Sequence, residues 1–256
     1  MDVHDKSVLV TGGASGLGRG VVERFLEGGA HVVIADRDAK KGNELVESLP
    51  GQPVEFVETD ITNEPSAYKA VEMALRRNRE LHVVVNCAGI AVAEKIVGKK
   101  SVHSLELFAQ VIQVNLVGTF NMLRLAAEAM VHNKPGEDGE RGVIVNTASA
   151  AAFEGQIGQA AYAASKGGVA GLTLPAAREL ARHGIRVVSI APGLFETPLL
   201  ASIPDAARQA LGESIPYPSR LGNAEEFAAL VQHIVENRYL NGEVIRLDGA
   251  LRMAPR

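Results

Sequence analysis

The chain of 256 residues contains a single cysteine, Cys87, so no disulfide can close within it and no zinc site can be built from thiolates. It also lacks an excess of either charge. Its 26 Lys+Arg against 30 Asp+Glu leave a net charge of -4 and a pI of about 6.0, which gives no basic footprint for nucleic acid. Charges of both signs are interspersed, as on an ordinary solvated surface. No apolar run reaches the ~20 residues that a membrane span requires. No Pro/Gly/Ser-rich linker, internal repeat or low-complexity segment divides the sequence, and at this length one large domain is expected. His4, His31, His82, His103, His132, His183 and His233 fall at no metal-ligand spacing, so no metal is expected. Met1 to Lys6 lead directly into an apolar run; read as a chain start, this leaves no room for a signal or transit peptide. A cytoplasmic protein is the expectation.

Seven short apolar, β-branched-rich runs recur, at Ser7–Thr11, His31–Ala35, Val54–Glu58, His82–Asn86, Val143–Thr147, Arg186–Ile190 and Glu243–Leu247. Continuous runs of this kind suit strands buried on both faces of a parallel sheet. Helical patterns lie between them, among them Gly18–Glu27, Ala39–Ser48, Ser66–Arg77 and a long apolar stretch Leu105–Val131. The alternation predicts one α/β domain over residues 1–256, a doubly wound, seven-stranded parallel sheet with helices on both faces.

The first strand empties into Thr11-Gly-Gly-Ala-Ser-Gly-Leu-Gly18. Gly12, Gly16 and Gly18 allow a tight turn and a close backbone approach to a phosphate, while the next helix offers free N–H groups and the positive end of its dipole. The spacing is G-x-x-x-G-x-G, not the commoner G-x-G-x-x-G. Its place between a first strand and a first helix is that of a Rossmann dinucleotide site. The second strand ends at Asp36, where a carboxylate can accept from ribose hydroxyls and repel a 2′-phosphate, so NAD is expected over NADP. Arg37, Lys40 and Lys41 oppose that reading and are taken as surface residues of the following turn. Asp60 and Ile61 close the third strand, where they can bond and cover an adenine; Asp60 competes for that role with service as a helix N-cap. Asn86-Cys87-Ala88-Gly89 closes the fourth, with small residues on which a cofactor can lie and with Cys87 read as a packing thiol, not a reactive one.

Ser149 ends the fifth strand, and Tyr162 and Lys166 follow, four apart and therefore one turn apart on a helix face. A free tyrosine titrates near ~10. An ammonium ~4 Å away favours the phenolate by up to roughly 4 kcal/mol at an effective dielectric of ~20, which brings the tyrosine toward the range of acid–base work. Ser149 supplies a hydroxyl to hold a substrate oxygen at the carboxyl edge of the sheet, where ligands bind in such folds. Gln156, between them, is a further candidate substrate-binding group. Asn115 lies inside the apolar stretch, either kinking a helix to hold a water at the site or bonding a neighbouring strand. Pro192, Phe195 and Thr197 follow the sixth strand and are candidates for a carboxamide and a phosphate. Residues 194–219, apolar and proline-punctuated, read as a substrate lid. The polar insertion with Lys95, Lys99 and Lys100 can reach the phosphates of a large anionic substrate or be a solvated loop. The apolar Leu251 and Met253 suggest burial at a subunit contact.

With Thr11–Gly18, Asp60, Asn86–Gly89, Asn115, Ser149, Tyr162/Lys166 and Pro192–Thr197 in this order, the chain resembles the short-chain dehydrogenase/reductases from end to end. Asn146–Ser149, Ala152–Gln156, Gln159–Gly168, Ile190–Phe195, Pro218–Gly222 and Asn241–Gly249 resemble one group within them, the type-2 3-hydroxyacyl-CoA dehydrogenases, also called 17β-hydroxysteroid dehydrogenase type 10. The resemblance implies a catalytic tetrad of Ser149, Tyr162, Lys166 and Asn115. It implies NAD contacts from Ser15, Leu17, Asp36, Asp60, Ile61, Cys87, Phe195 and Thr197, and a homotetramer. Glu196 departs from the group, which tends to carry a small residue there. The expected reaction is NAD-dependent interconversion of a secondary alcohol and a ketone, foremost the 3-hydroxyl of a short or branched 3-hydroxyacyl-CoA. A hydroxysteroid is the rival substrate, and a scaffold role in an RNA-processing complex is the rival from another class.

Overall fold

A computed structural model describes residues 1–198 and 204–255. Each expected strand forms, with ends shifted by at most two residues: β1 (Ser7–Thr11), β2 (His31–Asp36), β3 (Val54–Glu58), β4 (Val83–Asn86), β5 (Gly142–Thr147), β6 (Ile185–Pro192) and β7 (Val244–Leu247). They pair in parallel in the order β3-β2-β1-β4-β5-β6-β7. The order reverses between β1 and β4, and at that switch point the two strand ends diverge and open a crevice.

Between and after the strands run α1 (Gly16–Glu27), α2 (Ala39–Glu47), α3 (Glu64–Leu75), α4 (Leu105–Ile112), α5 (Thr119–Met130), α6 (Ala160–Leu180), α7 (Asp205–Glu213) and α8 (Ala224–Glu236). Helix α3 begins two residues before its expected start because Asn63 caps it, accepting from Ser66 N, with a proline in its first turn. The long stretch from Leu105 is helical throughout, but Gln113–Gly118 between α4 and α5 winds as a π-helix.

Alternate residues of each central strand serve the two faces. Val8, Val10, Ile34 and Val85 pack with Val22 and Phe25 of α1 and Phe227 and Val231 of α8. Leu9, Val33, Val84 and Ile144 face the other way, onto Ala70 of α3, Met122 and Ala126 of α5 and Ala177 of α6. Apolar burial on both faces explains why these strands read as unbroken apolar runs. Among the described residues, no helix is long and apolar enough to cross a membrane, and no cluster of His, Cys, Asp and Glu could hold a metal ion.

Candidate active site

A cleft of about 780 Å³ opens at the carboxyl ends of the strands, lined by Gly12, Ser15–Gly18, Asp36, Asp60, Ile61, Cys87–Gly89, Ser149, Tyr162, Lys166, Pro192, Phe195 and Thr197, among others. Every cofactor-binding residue expected from the sequence therefore reaches one surface. The glycine loop is built for close approach. Gly12 and Gly16 have φ of 64° and 54°, a region side-chain-bearing residues avoid. A Cβ on Gly12 would lie 2.7 Å from Ala88 N, and one on Gly18 would run into Gly12 O. Ser15 sits at the N-cap of α1 without committing its hydroxyl to a cap, and the first turn that follows lines the cleft, where helix N-terminal amides suit a phosphate.

Asp36 holds this loop in place. One carboxylate oxygen accepts from Ala14 N at 3.1 Å and the other from Asp38 N at 3.0 Å; each keeps a lone pair for a ribose hydroxyl. The neighbouring cations are already engaged, with Lys41 Nζ 2.9 Å from Asp38 and Lys40 Nζ 3.9 Å from Glu44, while Arg37 lines the cleft. Asp60 is not the helix cap, a role Asn63 takes. Its Oδ1 accepts from Thr62 N at 2.9 Å and Thr62 Oγ1 at 2.7 Å, and the Thr62 hydroxyl holds its carboxyl below the usual range. Phe195 contributes mainly from behind: its ring is buried in the core, edge-on to Phe227 with centroids 6.5 Å apart. Cys87 is half-buried and accepts from the Thr147 hydroxyl at 3.6 Å. Burial pushes its thiol up to about 11, in keeping with a packing role.

Three of the four catalytic candidates, Ser149, Tyr162 and Lys166, line this cleft, and the fourth, Asn115, lies buried behind it. Ser149 Oγ accepts from Ala151 N at 3.1 Å, which fixes the hydroxyl beside Tyr162. The Lys166 ammonium, 4% exposed, donates to Thr147 O at 2.7 Å and lies 5.9 Å from the centre of the Tyr162 ring. Burial without a carboxylate partner lowers its pKa to about 8. Burial also raises the Tyr162 pKa, and the Ser149 hydroxyl opposes that rise. This differs from the charge-pair expectation. The Ser149 hydroxyl bonds the phenol directly, while the lysine, anchored on a strand carbonyl, acts on it as a nearby charge 5.9 Å from the ring centre.

Asn115 is fully buried in the π-helical turn. Its Oδ1 accepts from Ile90 N at 2.8 Å, and its Nδ2 donates to Ile90 O at 2.8 Å and Ser165 Oγ at 3.0 Å. The residue sits in a helix distortion, and its amide bonds the chain just past β4. Gly89 separates it from the lysine, since a Cβ there would lie 3.1 Å from Asn115 Oδ1 and 3.6 Å from Lys166 Nζ.

Gln156 is placed elsewhere. Its Nε2 donates to Ala254 O at 2.9 Å, while the cleft is lined instead by Gln159, three residues on and next to the start of α6. Leu251 is covered by its own chain, at 5% exposure, and Met253 lines the cleft, so neither requires a subunit contact to account for it. Val92 and Ala93 of the polar insertion line the cleft as well. Part of the expected lid, residues 199–203, lies outside the described residues. Glu196 is exposed, with its N–H on Gly222 O at 2.8 Å.

The family described as short chain dehydrogenase matches residues 6–208. The chain is 55% identical over 249 residues to a Drosophila melanogaster protein named 3-hydroxyacyl-CoA dehydrogenase type-2, covering 96% of this chain and 97% of that one. It is 53% identical to the Homo sapiens protein of the same name, over 96% and 95%. The crystal structure of 3-hydroxyacyl-CoA dehydrogenase type-2 from Mycobacterium avium superposes with a TM-score of 0.94 at 45% identity, covering 98% and 97% of the two chains. A glycine-loop cleft that gathers Ser149, Tyr162 and Lys166, carried on a seven-stranded doubly wound sheet with relatives of this closeness, makes the chain a member of the short-chain dehydrogenase family and an oxidoreductase.

Proposed function

We propose that the protein interconverts 3-hydroxyacyl-CoA and 3-ketoacyl-CoA thioesters with NAD as its hydride carrier. The observation that carries this reading is the convergence of Ser149, Tyr162 and Lys166 on one cleft with the glycine loop, in a chain 53–55% identical to proteins named for that activity.

Bound nicotinamide supplies the hydride acceptor. The chain's own residues do the rest. The Ser149 hydroxyl, fixed by Ala151 N–H, holds the substrate oxygen. Tyr162 takes the hydroxyl proton during oxidation and returns it during reduction. Lys166, anchored on Thr147 O, keeps a cation beside the phenol and offers its remaining N–H donors to a ribose. Asn115 Oδ1 retains a second lone pair, and Gly89 keeps the gap toward Lys166 Nζ clear; this favours a water there that relays the proton outward. Asp36 supports NAD over NADP, because its carboxylate would repel a 2′-phosphate, with Arg37 on the same cleft as the opposing cation.

Lys95, Lys99 and Lys100 sit on the insertion whose Val92 and Ala93 line the cleft, and their cations suit a thioester's phosphates. A homotetramer follows from the resemblance, and exposed Val117, Phe120 and Leu174, at 41%, 52% and 44%, supply apolar surface for it. The first test is NADH oxidation with acetoacetyl-CoA, beside NADPH and beside a ketosteroid. Strong turnover with NADH and the thioester is the expected result. Turnover confined to the steroid would replace the substrate and keep the chemistry.

A further inference from the structure

The last residues of the chain return from β7 to run beside the loop that joins Ser149 to Tyr162. Glu154 of that loop is the anchor. Its two oxygens accept from Arg246 Nη1 at 2.9 Å and Arg246 Nη2 at 3.2 Å. Arg252 Nε lies 3.2 Å from the same carboxylate, and Met253 N donates to it at 3.0 Å. Arg246 is held in turn by Asp248 at 2.6 Å, bonds Leu251 O at 3.1 Å and stacks 5.4 Å from the centre of the Phe153 ring. Two further bonds continue the seam, Gln156 Nε2 to Ala254 O at 2.9 Å and Ile157 N to Pro255 O at 3.0 Å.

The seam delivers one side chain to the cleft. Among the described residues beyond Pro198, Met253 alone lines it. The tail's bonds are to Glu154, Gln156 and Ile157, which ties Met253 to the segment between Ser149 and Tyr162. The reacting-group contacts there are polar, from Ser149 and Tyr162. A half-buried thioether lining the same cleft is an adaptable apolar wall, suited to the unreactive chain of a substrate.

We propose that Met253 sets which acyl chains the site accepts, and that Glu154 is the positioning residue that holds it in place through Arg246, Arg252 and the Met253 N–H. The inference rests on the reading of the cleft as a 3-hydroxyacyl thioester site. The Arg246 guanidinium beside Glu154 holds that carboxyl below the usual carboxylate range, so the anchor stays ionised at neutral pH.

The test compares the full-length wild type, Met253→Ala and Glu154→Ala, each with NADH, on 3-ketoacyl-CoA substrates of four and eight carbons. Removing the Met253 side chain is expected to raise the long-to-short ratio of kcat/KM roughly tenfold, the scale on which pocket methylenes discriminate. Glu154→Ala is expected to move the ratio in the same direction and to speed amide hydrogen exchange across residues 250–255. Both variants keep the wild-type Kd for NADH, read by its fluorescence. An unchanged ratio in Met253→Ala overturns the specificity role; faster exchange in Glu154→Ala with an unchanged ratio overturns the positioning role. Should Glu154→Ala not fold, Glu154→Gln, which keeps an acceptor for Met253 N, is read in its place. If the wild type binds NADH but turns over neither thioester, the proposed substrate fails instead. The ratio is then taken on short and long members of whichever ketone series the enzyme reduces, and it decides the tail's role there.

Discussion

The Lys166 ammonium sits on the carbonyl oxygen of Thr147 at 2.7 Å, two residues before Ser149 on the end of β5. The strand end that leads into Ser149, the proposed holder of the substrate oxygen, thus also anchors the lysine. The lysine's charge faces little besides this carbonyl and the Tyr162 ring, and its pKa falls to about 8 by burial. The sign of the consequence follows from linkage. A lysine with a folded pKa below its unfolded 10.5 binds fewer protons when folded, so stability rises with pH between about 8 and 10.5. That contribution is complete above the unfolded pKa and is lost as pH falls through about 8. Lys166→Met is therefore expected to raise the Tm of the cofactor-free protein at pH ~7, by relieving a buried charge. The gap to wild type is expected to narrow from pH ~8 upward. Calorimetry across that range checks it, and a gap independent of pH would sink the idea.

Tyr162 is the proposed proton carrier, and burial raises its pKa. Alcohol oxidation needs the phenolate and carbonyl reduction the phenol. With the pKa above the ordinary 10.0, oxidation is expected to keep rising with pH into the alkaline range, and reduction to hold level and fall only beyond that value. Tyr162→Phe is expected to lose roughly 10²–10⁴ in kcat in both directions and to retain NADH binding. A Tyr162→Phe variant that kept most of its activity would contradict the assignment of the base.

Asn115 satisfies both backbone groups of Ile90 and contacts Ser165 of the catalytic helix. Asn115→Ala leaves buried polar groups unpaired, an expected loss of roughly 1–3 kcal/mol in urea unfolding. It also frees the loop Cys87–Ile90 that flanks the lysine. A fall in kcat greater than the loss of folded protein is the expected signature of a role at the site; a purely structural residue would show the stability loss alone.

The seven strands were legible because both faces of the sheet are covered, so each appears in the chain as an uninterrupted apolar run. The glycine loop and the Tyr162/Lys166 pair were legible because their chemistry is local, set by spacing within a few residues. Three features were not. The π-helical turn at Gln113–Gly118 has no compositional mark, since one extra residue in the helix leaves the apolar pattern almost unchanged. Gln156 and Gln159 are equivalent as residue types, and only the orientation at the start of α6 decides which faces the cleft. Met253 is brought there by an Arg246–Glu154 pair separated by 92 positions, a distance across which no local pattern carries information.

The Asp36 carboxylate accepts from Ala14 N and Asp38 N and lines the cleft, so the proposed preference for NAD can be tested at this residue. Asp36→Ala is expected to lower kcat/KM for NADH roughly 10- to 100-fold, the worth of hydrogen bonds to a charged group. NADPH should lose less, because the repulsion of a 2′-phosphate goes with the carboxylate and Arg37 remains at the cleft. A ratio of the two cofactors unchanged by the substitution would move the discrimination from Asp36 to Arg37.

Cys87 lines the cleft, yet burial pushes its thiol up to about 11, opposed only in part by the Thr147 hydroxyl and the Lys166 charge. Since the thiolate is the nucleophile, the folded protein at pH ~8 is expected to resist disulfide and alkylating reagents and to react with one equivalent only after denaturation. Cys87→Ala is expected to cost little in kcat, because the residue packs and does not react. Rapid titration of Cys87 in the folded protein, slowed by NADH, would instead reveal a thiolate at the cofactor surface, and the packing assignment would have to be given up.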